Sequence, residues 1–440
     1  MSSINSTSAP SVIAGEARTG GGPAPGSATA AEAGNGRIAV STVVRHGVSK
    51  PVKNFRITFW GVQGSCPLFP EPHEVEGYKD QVCRYALTHI LNDMKARTSN
   101  GQVRIQDLLG GPIDASTIEA YLHKVAIPDL PVYGGETTCI SIETGDGHTI
   151  LIDGGSGIRH CSKYLIPAWG DRPRTIDIFG THEHLDHRSG LPFCQFCYTR
   201  PPFALNVYGT RQFLDALDSR YGVFCHKLND QMHFDDPVDF RMMSASFRAT
   251  EMRSLDENDR ISGNDADLPW KIHDMHEPIL IGQTRVTAFD VYHGPTRCLS
   301  YKFEHNGVTF LFSTDHEIRH TDNVDDPRQF KSFAAEVRLR EHSLNADVAY
   351  YDGQYRLDEY MGRAKISSTS AVPRIDWGHG CIEDIIERSR LCNVKRTFIG
   401  HHDPERDWQD RMRIDRELLE QGRRTGVPIE LAKSDLVLDL

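Results

Sequence analysis

Hydrophobic and polar residues alternate in several short stretches of this chain, and each stretch predicts a strand. Phe55, Ile57 and Phe59 alternate with Arg56 and Thr58, the pattern of a half-buried strand. It runs into Gly61-Val62-Gln63-Gly64-Ser65, where glycine permits a tight bend. Thr138 to Ile142 and Thr149 to Ile152 read as a hairpin joined by Gly145-Asp146-Gly147. Ile176 to Phe179 is an apolar run that reads as a buried strand closed by Gly180. Arg285 to Phe289 predicts a strand that ends near His293. Leu299 to Glu304 and Val308 to Ser313 flank His305-Asn306-Gly307, and Asn-Gly between alternating arms signals a hairpin. Asp347 to Tyr351, Arg396 to Ile399, Ile429 to Leu431 and Leu436 to Leu438 complete the strands.

Other stretches carry the helical period. Val82, Ala86, Ile90 and Met94 recur every fourth residue with Leu87 and Leu91 beside them. Ser116-x-x-Glu119 has the form of a capping box, after which Ile118, Tyr121, Leu122 and Val125 make one apolar face. Arg211 to Tyr221, Ile382 to Leu391 and Trp408 to Gly422 read as further helices. Strands in two blocks with helices between them predict an α/β (α+β) chain of two packed sheets with helices outside. Residues 1–36 are rich in Ser, Gly, Ala and Pro and predict a disordered tail. Ile38 to Lys53 is ambiguous, with Val43 and Val44 able to pack on the domain edge. From Phe224 to Asp274 the pattern weakens, and a polar loop is expected at about 250–270, centred on Arg253 to Asp267.

Composition narrows the class. Of 440 residues, 39% are hydrophobic and 25% charged, as in a soluble globular protein. No apolar run reaches membrane-spanning length and no secretory signal is evident, so a cytoplasmic protein without membrane contact is expected. The ten cysteines are scattered, which favours free thiols, and Cys194-x-x-Cys197 reads as core packing. A formal charge of −11 argues against long nucleic acids as partners, although bound divalent ions would reverse the sign locally.

The chemistry concentrates directly after the Ile176–Phe179 run, in Thr181-His182-Glu183-His184-Leu185-Asp186-His187. Imidazoles and a carboxylate at this density point to a first-row metal site, most often zinc, with Mn²⁺ or Fe²⁺ as alternatives. His182, His184, Asp186 and His187 are more donors than one tetrahedral ion takes from one segment, so two ions per chain are expected. Glu183, between two donors, is expected to face solvent or a supporting hydrogen bond.

The motif resembles the metallo-β-lactamase superfamily. Tyr133-Gly134-Gly135-Glu136-Thr137-Thr138 precedes it and leads to Ile152-Asp153-Gly154-Gly155; Tyr292-His293-Gly294, Ser313-Thr314-Asp315, Trp377-Gly378-His379-Gly380 and Gly400-His401-His402-Asp403 follow. Their order is similar to the phosphodiesterase branch, which includes ribonuclease Z and the phosphoribosyl cyclic phosphate phosphodiesterases. The likeness covers 54–440 apart from insertions. It implies an αββα sandwich in which His182, His184 and His293 hold one ion. Asp186, His187 and His401 would hold the other, with Asp315 bridging and Asp153 supporting the loop. His402 is the rival to His401. Asp186 would also accept the proton of the attacking water or orient it. The branch places a histidine some way before the last ligand, and here His379 stands 22 positions before His401 (401 − 379). That histidine would bind phosphate or protonate a leaving alkoxide, although Gly380 and Cys381 follow it where Ser is usual. A histidine at 184, where related diiron oxidoreductases carry a carboxylate, leans toward zinc and hydrolysis.

The resemblance thus implies a dinuclear zinc phosphodiesterase acting through a metal-bridging hydroxide on a cyclic nucleotide or similar small phosphodiester. A tRNA 3′-processing-type endoribonuclease, a lactone, ester or thioester hydrolase, and a non-catalytic binding protein remain open. The helical insertion at about 67–132 departs from the family. It reads as a lid, as a surface for a partner such as a second copy of the chain in a homodimer, or as decoration on the sheet edge.

Overall fold

The alternating stretches pair into two sheets in the computed structural model, which describes residues 39–41, 51–98, 101–125, 131–170, 172–221, 243–255, 265, 267–323 and 325–440. The expected tail at 1–36, Val43 and Val44, and the centre of the expected polar loop lie outside the described residues. In chain order the strands are β1 (Ala39–Ser41), β2 (Phe55–Gly61), β3 (Cys139–Thr144), β4 (Thr149–Ile152), β5 (Thr175–Phe179), β6 (Ala204–Gly209), β7 (Ser246–Arg253), β8 (Lys271–Asp274), β9 (Ile279–Ile281), β10 (Thr284–His293), β11 (Thr296–His305), β12 (Val308–Ser313), β13 (Val348–Asp352), β14 (Thr397–Gly400), β15 (Ile429–Leu431) and β16 (Leu436–Asp439). Among the described residues, one sheet has the order β1-β16-β2-β3-β4-β5-β6-β7-β8 and the other β15-β14-β13-β12-β11-β10-β9.

The sheets meet through one apolar layer. Phe55, Ile57 and Phe59 of β2, Ile140 and Ile142 of β3 and Phe179 of β5 pack with Tyr301 and Phe303 of β11, Phe310 and Phe312 of β12, and Tyr350 of β13. The helices are α1 (Pro72–Arg97), α2 (Ile105–Leu109), α3 (Ala115–Val125), α4 (Gly157–Ala168), α5 (Arg211–Tyr221), α6 (Pro327–Ser343), α7 (Leu357–Tyr360), α8 (Ile382–Leu391) and α9 (Trp408–Thr425). Ile158, Cys161 and Leu165 of α4 and Phe213, Leu214 and Leu217 of α5 cover the outer face of the first sheet. Leu339 of α6, Ile382 and Ile385 of α8, and Ile414 and Leu418 of α9 cover the second. This is the αββα sandwich.

Several expectations are corrected. β2 is buried on both faces, because Trp60 packs under α4 while Phe55, Ile57 and Phe59 face the other sheet. β7 and β8 form within the stretch read as irregular. Their period is masked by a buried polar residue, Glu251, which accepts hydrogen bonds from Trp270 Nε1 (3.0 Å) and Arg253 Nε (2.7 Å). The cap of α3 is Asp114 rather than Ser116: Asp114 Oδ1 accepts from Thr117 N (2.9 Å), and Asp114 N donates to Thr117 Oγ1 (3.3 Å). Gly64 is required by close approach and not by a bend, since a Cβ there would lie 2.5 Å from His401 Nδ1, and Ser65 takes the left-handed turn instead (φ 63°). The Asn306-Gly307 turn does have the expected positive φ values of 50° and 78°.

The insertion forms helices whose faces are only partly used. Leu108, Tyr121 and Val125 bury against Ile90, Met94 and Leu109. Leu87, Leu91, Ile118 and Leu122, expected on the apolar faces, are exposed. The start of α1 is tied to the start of α9: the Tyr78 ring lies 4.1 Å from that of Trp408, and Glu74 Oε1 accepts from Trp408 N (2.9 Å). No described helix is long and apolar enough to cross a membrane. The nine described cysteines are free, and Cys194 and Cys197 are buried in the core beneath α4.

Topology positions the chemistry. β4, β5 and β6 run parallel in one sheet, as do β12, β13 and β14 in the other. β10 and β12 both run antiparallel to β11, so they point the same way. Asp153 follows β4, His182 follows β5, Asp315 follows β12 and His401 follows β14, while His293 and Asp352 are the last residues of β10 and β13. One edge of the sandwich therefore collects strand ends, and the loops leaving them carry the donors.

Candidate metal centre

The loop after β5 is held by a carboxylate from the neighbouring strand. Asp153 Oδ1 accepts from Thr181 N (2.7 Å), and its Oδ2 accepts from Thr181 Oγ1 (2.9 Å) and contacts His187 Nδ1 (2.7 Å). Asp153 is fully buried in the left-handed region (φ 59°). With Nδ1 engaged, His187 presents Nε2 to the cluster.

Donor atoms gather around Asp315 in overlapping groups, among them Asp315 with His379 and His401, and the two that follow. His182, His184, His293 and Asp315 each place a ligand-type atom within 4.8 Å of the others, and so do Asp186, His187 and His401. Asp315 faces both groups. Its Oδ1 lies 3.8 Å from His182 Nε2 and 3.6 Å from His293 Nε2; its Oδ2 lies 3.3 Å from His187 Nε2 and 3.2 Å from His401 Nε2. The other imidazole nitrogens are held from behind. His293 Nδ1 contacts Gly378 O (2.8 Å), His182 Nδ1 contacts Thr181 Oγ1 (3.1 Å) and His401 Nδ1 contacts Gln354 Nε2 (3.3 Å). Asp186 Oδ2 accepts from Ser65 N (2.8 Å) and lies 3.2 Å from His401 Nε2. His184 is the exposed member, with Nδ1 3.2 Å from His293 Nε2. His402 turns away from both groups; its Nε2 donates to Ala432 O (2.9 Å).

The residues fit metal ions. His182 Nε2 is buried and makes no hydrogen bond. A buried nitrogen left so costs free energy unless something binds it. Burial, partly opposed by Asp315, holds His182 well below the usual imidazole range and His293 at about 4, so both are neutral donors at neutral pH. Burial works against charge on Asp186, yet the His187 and His401 imidazoles hold it well below the usual carboxylate range. His187 Nε2 and His401 Nε2 face each other at 3.3 Å, close enough for one ion to take both as ligands.

His379 sits beside this cluster. Its Nδ1 lies 3.0 Å from Asp352 Oδ2 and 3.6 Å from Asp315 Oδ1, and its ring stacks on His401 at 5.0 Å. Burial opposes the cation here, but Asp352, with Asp315 and Asp186, lifts the imidazole to about 9. Asp352 was not singled out in the sequence, although it carries the same signal as Asp153 and Asp315, a carboxylate at the end of an apolar strand. Glu317 was also missed. It accepts from Asp376 N (2.8 Å) and Gly378 N (2.9 Å), and so fixes the loop whose carbonyl orients His293. Glu183 is half-buried; its Oε2 is enclosed and makes no hydrogen bond, while its backbone oxygen accepts from Arg188 Nε (2.7 Å).

No protein-family profile matches the chain, and no curated protein matches it in sequence. In architecture the chain is similar to several solved structures. Unliganded yeast PDE1 is 15% identical with TM-score 0.47 over 88% of this chain and all of that one (100%). Zn²⁺-bound PqqB from Methylobacterium extorquens is 14% identical with TM-score 0.45, covering 88% of this chain and 100% of that one. The short form of human tRNase Z is 13% identical with TM-score 0.42, covering 87% and 98%.

Proposed function

We propose that this protein is a dinuclear zinc-dependent phosphodiesterase acting on a small phosphodiester of the cyclic nucleotide type. His182, His184 and His293 would hold one ion, Asp186, His187 and His401 the other, and Asp315 would bridge them. When bound, the pair of ions supplies positive charge that makes water acidic near neutral pH and neutralises phosphate oxygens. Asp186, anchored by Ser65 N, would orient the attacking water. Asp153, Thr181, Gly378 and Gln354 fix the ring orientations, so little rearrangement accompanies reaction.

The observation that carries this reading is the placement of His379 beside the divided Asp315 carboxylate. Asp352 occupies Nδ1, so Nε2 is the nitrogen left to meet a substrate oxygen. Attack on phosphorus spreads charge over three equatorial oxygens and expels an alkoxide. A cationic imidazole can donate to a non-bridging oxygen or protonate that leaving group. A carbonyl adduct has one oxyanion and less need of such a donor. The charge of −11 favours a small substrate over tRNA. The test is a panel of phosphodiesters, lactones, thioesters and pre-tRNA offered to zinc-reconstituted protein. Fastest turnover of a small phosphodiester is expected, and faster turnover of a lactone or thioester would overturn the reading.

A further inference from the structure

We propose that Trp377 is a stacking platform for a nucleobase, so that the phosphodiester this site takes carries a base. This rests on the phosphodiesterase reading above and names the residue that would recognise the base of such a substrate.

Trp377 is 52% exposed, yet the turn beneath it is built with care. Its two neighbours, Asp376 (φ 70°) and Gly378 (φ 88°), both occupy the left-handed region. For Asp376 this conformation is uncommon and needs support from its surroundings. Glu317 gives that support by accepting from the backbone nitrogens on both sides of Trp377, and Tyr360 Oη donates to the same carboxylate. Arg319 Nε binds the Asp376 side chain (2.6 Å), as does Arg328 Nη1 (2.8 Å). The same turn that orients His293 through Gly378 O therefore also holds Trp377 in one place.

The platform also lies on the line of rings that leaves the metal centre. His401 stacks on His379 (5.0 Å), and His379 meets the edge of Tyr355 (6.1 Å). The Arg374 guanidinium lies over Tyr355 (5.4 Å) and over Trp377 (4.4 Å). Arg374 is buried, and its Nε makes no hydrogen bond. It covers one face of the indole and leaves the exposed part for a ligand. An aromatic face stacks any base, and an Arg cation behind the ring adds to that hold. Gly378 joins the two halves: its nitrogen is fixed by Glu317 and its oxygen orients His293. A base on Trp377 and a phosphate at His379 would therefore be positioned by one turn.

The experiment compares zinc-reconstituted wild type, Trp377→Ala and Trp377→Phe. Turnover is measured on adenosine 3′,5′-cyclic phosphate, guanosine 3′,5′-cyclic phosphate and the abasic ribose 3′,5′-cyclic phosphate. Binding of AMP and of ribose 5-phosphate is measured by calorimetry. Trp377→Ala should raise KM for the base-bearing diesters about tenfold with kcat within about twofold, as loss of one stacked base predicts. The penalty should shrink to about twofold on the abasic diester, and Trp377→Phe should recover most of the loss. AMP should bind Trp377→Ala about tenfold more weakly, with a much smaller change for ribose 5-phosphate. An equal penalty on both kinds of diester, or unchanged AMP affinity, would overturn the platform while leaving the phosphodiesterase reading intact. A wild type that hydrolyses no phosphodiester would defeat both.

Discussion

Asp352 Oδ2 lies 3.0 Å from His379 Nδ1, and this contact decides which imidazole nitrogen faces the substrate. His379→Ala is expected to keep its metals and lose roughly 10²–10⁴-fold in kcat on an unactivated phosphodiester, the range of a positioned acid–base group. The loss should be smaller when the leaving group is nitrophenolate, which departs without a proton. Equal losses on both leaving groups would limit His379 to phosphate binding, and unchanged kcat would remove it from the reaction. Asp352→Asn should fall between wild type and His379→Ala in steady-state kinetics.

Gly64 gives a second test, because its missing side chain makes room for the His401 ring. Gly64→Ala places a methyl group against His401 Nδ1 and Gln354 Nε2. The expected result is weaker binding at the Asp186–His187–His401 group with a folded protein by circular dichroism, measured by competition with a chelator. Metal affinity equal to wild type would show that the ring can shift without cost.

Asp153 should act through His187 and not through substrate. Removing the partner of a metal-bound imidazole typically costs about 10–100-fold in metal affinity or activity. Asp153→Asn is expected to lose metal affinity in this range, with activity recovered at high zinc. Failure of excess zinc to restore turnover would argue for a different role.

The strand ends were legible because each bears a donor directly after an apolar run. His182, His293, Asp315 and His401 all fit that description, as do the elements that carry them. Asp352 fits it equally, but a lone aspartate at a strand end is also an ordinary turn residue, so the sequence alone does not mark it. β7 was hidden by Glu251, a buried carboxylate paired with Arg253 on the same strand and with Trp270, 19 residues further along the chain. The helical period of the insertion was readable, but not which side would be covered: Tyr121 is buried and Leu122 exposed on one helix. Gly64 shows a different limit. Its need for glycine arises from His401, far along the chain, which no local pattern reveals.

Glu336 makes stability depend on pH. Burial raises the cost of its charge, but Arg388, which binds it at 2.6 Å, and His316 at 3.1 Å hold it well below the usual carboxylate range. A folded value below the unfolded one means the contribution is full above the ordinary glutamate range and is lost as pH falls through that range toward the folded value. Urea unfolding should therefore show stability falling below about pH 5, with a shallower fall in Glu336→Gln. At pH 7 that variant leaves Arg388 buried and unpaired, and should be about 3–5 kcal/mol less stable. A variant as stable as wild type at pH 7 would contradict the assignment.

The divided carboxylate of Asp315 underlies the whole account, because it makes one site of two donor groups. Zinc content per chain, measured by mass spectrometry after reconstitution and desalting, tests it most directly. Wild type is expected to hold about two ions, and His182→Ala and His401→Ala about one each. Asp315→Ala should hold fewer than two and lose most activity while remaining folded. One ion or none in the wild type, or two ions retained by Asp315→Ala with full turnover, would contradict the dinuclear centre.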